Sequence, residues 1–240
     1  MQRTEQRLRQ LNIAGHPVEW FDTLDSTMTA ASRLAREGCA DGAVVVADEQ
    51  TSGVGRHGRS WHSEKGTGLY VSMVLRIPQP IPVIMLALGL AARDAIAKTG
   101  LKPDLRWPND VLVDGKKCAG IIAQLDDGAI IAGIGINIGQ TEFPSEFEAT
   151  SLLLAGAKTT REEVLAALIE AVDLYCAKQP AEILRLFEAS SSYALGRRVH
   201  VEEGDFEGVT QGLDSNGFLT VRKDNGEIST VLAGGVRPCS

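Results

Sequence analysis

Between Gly53 and Arg59 the chain reads GVGRHGR, three glycines and two arginines in seven residues. Glycine costs about 1 kcal/mol relative to alanine inside a helix, and glycine in a strand interior weakens the strand. The run therefore has to be a loop. On either side stand apolar segments rich in β-branched residues, AVVVA at 43–47 and GLYVSMVLRI at 68–77, which read as buried strands. Glycines let backbone N–H groups approach an anion closely. Arg56 and Arg59 add forked donors that suit carboxylate and phosphate oxygens. The pattern points to the holding of a nucleotide or an acyl phosphate, although in isolation a solvated flexible loop would look the same.

A chain of 240 residues is long enough for one large domain, or a main domain with a smaller companion. Its net charge of -7 argues against a whole-protein field that attracts nucleic acid or acidic membranes, so any basic site has to be local. Cys39, Cys118, Cys176 and Cys239 lie far apart with no CxxC pair and no secretory leader, which points to reduced thiols and a cytoplasmic setting. The histidines, His16, His57, His62 and His200, lack metal-ligand spacing, and no metal ligands are identified. The apolar run at 81–92 is too short for a bilayer, which needs roughly 20 residues, and reads as a buried core helix beginning near a proline.

Along the chain, the charged segment 1–15 reads as a short helix ending at a glycine, too short for a helix-turn-helix module. A strand at 18–21 leads to Asp25-Ser26-Thr27, capping side chains for a helix over 28–37 whose exposed N–H groups could also receive a polar ligand. Strands follow at 105–106, 111–113, 118–125 and 129–138, with Asp114-Gly115 marking a hairpin and Asp126-Asp127-Gly128 a second turn: an antiparallel meander. Arg106 and Lys117 are cations at or beside otherwise apolar strands. A short helix is expected near 151–154. Thr160 to Glu163 reads as a capping box opening a helix with Val164, Leu165, Leu168, Val172 and Tyr175 on one face. Another helix is expected over 181–189. From Gly196 the segments become short and alternating, punctuated by Asn216-Gly217 and Asn225-Gly226. This predicts domains at 1–194 and 195–240, the second a small all-β unit.

The motifs DST at 25–27, GVGRHGRSW at 53–61, RWPND at 106–110, KKCAGI at 116–121 and GIGIN at 133–137, in that order, resemble the biotin protein ligases over nearly the whole chain. The resemblance implies an α/β (α+β) fold, a mixed sheet with helices akin to class II synthetase catalytic domains, followed by an SH3-like barrel. It also implies the ligase-only class, without the DNA-binding module of larger bacterial members. The implied chemistry uses ATP, Mg²⁺ and biotin to make biotinyl-AMP, then passes biotin to a lysine of the biotin carboxyl carrier protein of acetyl-CoA carboxylase or a related carboxylase. No nucleic-acid or membrane partner is implied, and the chain could act as a monomer or a homodimer.

Carried onto this sequence, Ser26, Thr27 and Gln50 match positions that hold the ureido ring of biotin. Gly53, Val54, Gly55 and Arg56 match the loop that closes over biotin and the adenylate. Arg106 matches a lysine that touches the ligand carbonyl and phosphate. Arg56, Arg106 and Lys117 are the implied catalytic cations, while Arg59, Trp61, Lys117 and Asn137 match positions near the nucleotide; Trp61 reads equally as a core tryptophan. Asn109 and Asp110 read as site-shaping residues, with a carboxylate role toward the metal or the carrier lysine left open. Three positions depart from the family pattern: Met28 in the biotin pocket stands for asparagine, Val54 for the first loop arginine and Arg106 for lysine. The rival readings are a lipoate or octanoate ligase or transferase and a non-catalytic biotin-binding module.

Overall fold

The structure, a computed structural model, describes residues 6–145 and 148–239. Strand β1 (Arg7–Ile13) pairs antiparallel with β2 (His16–Leu24). The expected N-terminal helix is thus a strand over its described part, and residues 1–5 of that expectation lie outside the described residues. The physical reason is periodicity: Leu11 and Ile13, two residues apart, both pack toward the core. Ala14 and Gly15, both at positive φ, turn the chain back.

Helix α1 (Thr27–Arg36) is capped by Ser26 and leads into β3 (Val44–Gln50). After the glycine loop come β4 (Gly68–Leu75) and α2 (Ile81–Ala97), then β5 (Pro103–Arg106), β6 (Asp110–Val113), β7 (Lys116–Asp126) and β8 (Ala129–Asn137). The first eight strands form one sheet in the order β1-β2-β3-β4-β8-β7-β6-β5, with only the β2–β3 pair parallel. The expected meander and Asp114-Gly115 hairpin are therefore present. α3 (Arg161–Cys176) opens with the anticipated capping box between Thr160 and Glu163, and α4 (Pro180–Ala189) follows.

The segment expected as a helix near 151–154 is instead a single hydrogen-bonded turn over 152–156. The Ala155 N–H donates to the Ser151 carbonyl, and the Gly156 and Ala157 N–H groups then fold back on the Leu153 and Leu152 carbonyls with Gly156 at φ 90°, which closes the turn, while Leu152 N–H and Leu153 N–H anchor its start to the carbonyls of Asn137 and Ile138.

Side chains alternate across the large sheet. On β8, Ile130, Ala132, Ile134 and Ile136 share one core with the buried residues of α2 and α3, while Ile131 packs with α1 on the other face. Helix α2 is buried on nearly every side, as a helix without a polar face must be.

The remaining strands, β9 (Leu195–Val201), β10 (Phe206–Leu213), β11 (Leu219–Lys223), β12 (Ile228–Val231) and β13 (Val236–Pro238), form a second antiparallel sheet in the order β12-β11-β10-β9-β13. The barrel implied by resemblance is not closed here: the edge strands β12 and β13 span four and three residues and do not pair with each other. This sheet meets the first one through Trp107, whose indole N–H donates to the Gly217 carbonyl at 3.0 Å. Among the described residues, no helix is long and apolar enough to cross a membrane.

Candidate active site

The glycine and arginine segment folds back on itself. Trp61 N–H donates to the Gly53 carbonyl at 2.8 Å and Gly55 N–H to the Arg59 carbonyl at 2.7 Å, with Val54 bridging Ser60 between them. The tip, Arg56–Gly58, is a single 3₁₀ turn with His57 at φ 55° and Gly58 at φ 72°. A non-glycine residue in the left-handed region costs roughly 1–2 kcal/mol, a price the loop's internal bonds offset. Arg56 Nη1 donates to Asn109 Oδ1 at 3.0 Å and to the Gly234 carbonyl at 3.1 Å, so the loop reaches both the RWPND turn and the second sheet. Burial lowers the Arg56 pKa, yet Asp110 and Glu202 counteract this and the guanidinium remains a cation.

Beneath the loop lies a cleft of about 60 Å³ on the α1 face of the large sheet. Its floor is bare backbone. Gly135 on β8 stands directly opposite Gly120 on β7 and Tyr70 on β4, and Gly133 stands opposite Ile122. A Cβ on Gly135 would lie 2.5 Å from the Trp61 ring, and one on Gly120 2.8 Å from it. A Cβ on Gly133 would lie 2.6 Å from Met28 Sδ. These glycines are therefore the room in which Trp61 and Met28 sit.

At one end of the cleft the start of α1 is already occupied by protein groups: Met28 N–H donates to Ser26 Oγ at 3.2 Å and Thr27 N–H to Gln50 Oε1 at 2.8 Å. At the other end is a charge cluster. Asp110 accepts from Arg106 Nη2 at 2.7 Å through Oδ2 and pairs with Lys117 Nζ at 2.6 Å through Oδ1. Burial pushes the Asp110 carboxyl up, but Lys117 and Arg106 outweigh it and hold the group below its ordinary value. Lys117 also sits 5.3 Å from the Trp61 ring centroid, a cation–π distance. Asn109 spans the gap, donating to the Ile121 carbonyl at 2.9 Å while accepting from Arg56.

Of the residues singled out from the sequence, Ser26, Thr27, Met28, Gln50, Val54, Gly55, Arg56, Trp61 and Lys117 all line this one cleft. Gly53 sits behind it, packed on Trp61 and Ser63. Arg106, only 3% exposed, lies beneath the wall, paired with Asp110. Asn137 is buried and donates to the Thr150 carbonyl, and the Arg59 side chain turns outward toward Glu202. Asn109 lines it too, and Tyr70, Gly120, Gly133 and Gly135 are among the further lining residues that were not assigned a role from the sequence. The signal for the last two was present in GIGIN, because glycines two apart in a strand leave one face bare. Cys118, between the lysines and Gly120 in sequence, is no nucleophile: it is buried and its thiol is pushed up to about 12. The arrangement is suited to holding a polar head at Ser26, Thr27 and Gln50, covering an apolar middle with Trp61, and meeting negative charge with Arg56 and Lys117.

Comparison with known proteins gives the chain its relatives. Residues 20–140 match the biotin/lipoate A/B protein ligase family, and residues 194–236 match the biotin protein ligase C terminal domain. The chain is 35% identical to the bifunctional ligase/repressor BirA of Bacillus subtilis over 236 residues, covering 89% of this chain and 72% of that protein. It is 33% identical to the biotin--[acetyl-CoA-carboxylase] ligase of Mycobacterium tuberculosis over 258 residues, covering 96% and 93%. Its fold is similar to that of the biotin protein ligase from Aquifex aeolicus in complex with biotin and ATP, with a TM-score of 0.80, 32% identity and coverage of 92% and 97%.

Proposed function

The chain belongs to the biotin/lipoate A/B protein ligase family, and from that premise we propose that it is a biotin protein ligase, using ATP to attach biotin to a lysine of a biotin carboxyl carrier protein. The observation that carries this reading is the convergence of the loop, the α1 cap and the Asp110 charge cluster on one cleft. A relative that acts as a biotin--[acetyl-CoA-carboxylase] ligase supports the same acceptor class.

In the first step a biotin carboxylate oxygen attacks the α-phosphorus of ATP, and the bond to the β-phosphate oxygen breaks to release pyrophosphate. In the second, the carrier lysine's neutral amine attacks the acyl carbon, AMP leaves and the amine gives up a proton. We assign the biotin ring system to Ser26, Thr27, Met28 and Gln50, and cover of the acyl adenylate to Gly53, Val54, Gly55 and Arg56. Arg56 and Lys117 offset charge on the carboxylate and phosphate oxygens, where preorganised donors count most. Arg106 acts from beneath through Asp110. Arg59, Trp61 and Asn137 belong on the nucleotide side. Among the described residues no three His, Cys, Asp or Glu side chains cluster to hold a metal, and Asp110 is engaged by two cations. Mg²⁺ therefore fits as part of the incoming triphosphate, ligated largely by phosphate and water.

The second sheet begins at Leu195 and the second family match at residue 194, which supports a catalytic domain over 1–194 and a companion domain over 195–240. The net charge of -7 supports a reading without a nucleic-acid partner. The reading places the enzyme in the cytoplasm, where ATP is available.

Pyrophosphate–ATP exchange on the purified chain, with biotin, lipoate, octanoate or no acid, tests the first step without a carrier. Exchange with biotin alone is expected. Exchange with lipoate or octanoate would move the assignment to the sister ligases, and biotin binding without exchange would make the chain a biotin-binding module. Arg56→Ala removes the loop's donor to Asn109 and to the second sheet. It should release biotinyl-AMP and label lysines of a bystander protein such as albumin, read by streptavidin blot; wild-type retention of the adenylate would sink this role.

A further inference from the structure

Hydrogen bonds behind the head of the cleft run through a residue outside the assignments above. Ser72 Oγ donates to Thr27 Oγ1 at 2.8 Å. Thr27 then donates twice to Gln50 Oε1, from Oγ1 at 3.1 Å and from its backbone N–H at 2.8 Å. Two donors on one atom fix that end of the amide as the carbonyl, so the other end is the NH₂. Gln50 Nε2 donates to Ser63 Oγ at 2.8 Å, and Ser63 Oγ passes its own hydrogen to the Trp61 carbonyl at 3.1 Å.

Ser63 is 5% exposed and does not line the cleft. Its backbone carbonyl accepts from Gln50 N–H at 3.2 Å, so it grips Gln50 at both main chain and side chain. The packing around it is close: a Cβ on Gly53 would lie 2.8 Å from Ser63 Oγ and 3.1 Å from Gln50 Nε2. That approach, rather than flexibility, is what glycine provides at position 53.

We infer that Ser63 is a positioning residue for biotin recognition: its lone pair holds the Gln50 amide in the one orientation that presents a cleft-side N–H to the ligand. An amide NH₂ has two hydrogens, and Ser63 takes one. Without Ser63 Oγ, the NH₂ loses a buried acceptor and the amide is held at its carbonyl end alone, by the two Thr27 donors. The inference rests on the assignment of Gln50 to the biotin ring system. It extends that assignment to the loop, because the same hydroxyl holds the Trp61 carbonyl and so ties the ring-binding end to the base of the cover.

The test is a double-mutant cycle between Ser63 and Gln50, read as the biotin KM in pyrophosphate–ATP exchange. Ser63→Ala should raise the biotin KM about tenfold, the scale of one lost hydrogen bond, with kcat and the ATP KM changed less than about twofold. In the Gln50→Ala background it should have no further effect. Ser63→Cys keeps the volume but offers a poor acceptor, and should behave like Ser63→Ala even where the smaller side chain impairs folding. An equal effect of Ser63→Ala in both backgrounds would overturn the inference, as would a Ser63→Cys enzyme with the wild-type biotin KM. If Gln50→Ala itself leaves the biotin KM unchanged, the assignment of Gln50 fails and the role of Ser63 falls with it, a result distinct from the other two.

Discussion

Asp110→Ala is expected to destabilise the folded chain by about 3–5 kcal/mol, the usual cost of stranding a buried charge, and to lose most of the adenylation activity. Arg106 is 3% exposed and its guanidinium rests on Asp110 Oδ2. Once the carboxylate is gone, Arg106 has no route to water. Lys117 differs, because its side chain is 30% exposed and can turn outward. Most of the penalty should thus come from Arg106, and adding Arg106→Met to Asp110→Ala should recover a large part of the stability without restoring activity. Urea unfolding with a tryptophan signal measures the first quantity and pyrophosphate exchange the second. A stability loss under about 1 kcal/mol would mean that Arg106 does not depend on this carboxylate.

The same pair makes a statement about pH. The Asp110 carboxyl is held below its ordinary value of 3.8, because Lys117 and Arg106 outweigh the effect of burial. A folded-state pKa below the unfolded one contributes stability that is fully present above the unfolded value and is lost as pH falls through the folded one. The stability gap between wild type and Asp110→Asn should therefore be constant around neutrality and narrow only in acid, below the ordinary aspartate range. A gap that narrows between pH 6 and 8 would point to a different group.

How far the site could be read in advance depended on whether a residue's role lay in its type or in its register. The loop was legible because glycine and arginine at that density exclude helix and strand, and Ser26 was legible as a cap because its hydroxyl serves N–H groups two residues away. The burial of Arg106 was not. It follows from the β5–β6 hairpin, which sets Arg106 opposite Asp110, and from β7, which brings Lys117 to the same carboxylate. Read alone, Arg106 and Lys117 were two cations at or beside apolar strands, and nothing local showed that the first is neutralised under the wall. The N-terminal strand was misread because its many charged residues hid a two-residue period carried by Leu11 and Ile13 alone. The segment after Ser151 was read as a short helix and is one helical turn, which Gly156 at φ 90° closes before a second can form.

Gly135→Ala should abolish most of the activity while leaving the fold nearly intact. The added methyl would lie 2.5 Å from Trp61 Cε2 and 2.6 Å from Nε1, inside any permitted contact. Backbone cannot yield there, since β8 is paired on both sides, with Gly120 and Tyr70 opposite Gly135. Trp61 must give way instead. Its ring is only partly buried and its indole N–H has no hydrogen-bond partner among the described residues to lose, so displacement costs the folded state little. The consequence is for the cleft, because Trp61 is the lid over the bare floor and the partner of Lys117. Displacing a covering group by about 1 Å is enough to cost about 100-fold in rate. The expected result is thus a thermal midpoint within a few degrees of wild type, an altered tryptophan fluorescence spectrum, and kcat/KM for biotin in pyrophosphate exchange lower by about 100-fold. The glycine floor would lose its functional meaning if the alanine variant kept wild-type kcat/KM. If the variant unfolded, the strand rather than the indole would be the part that cannot move.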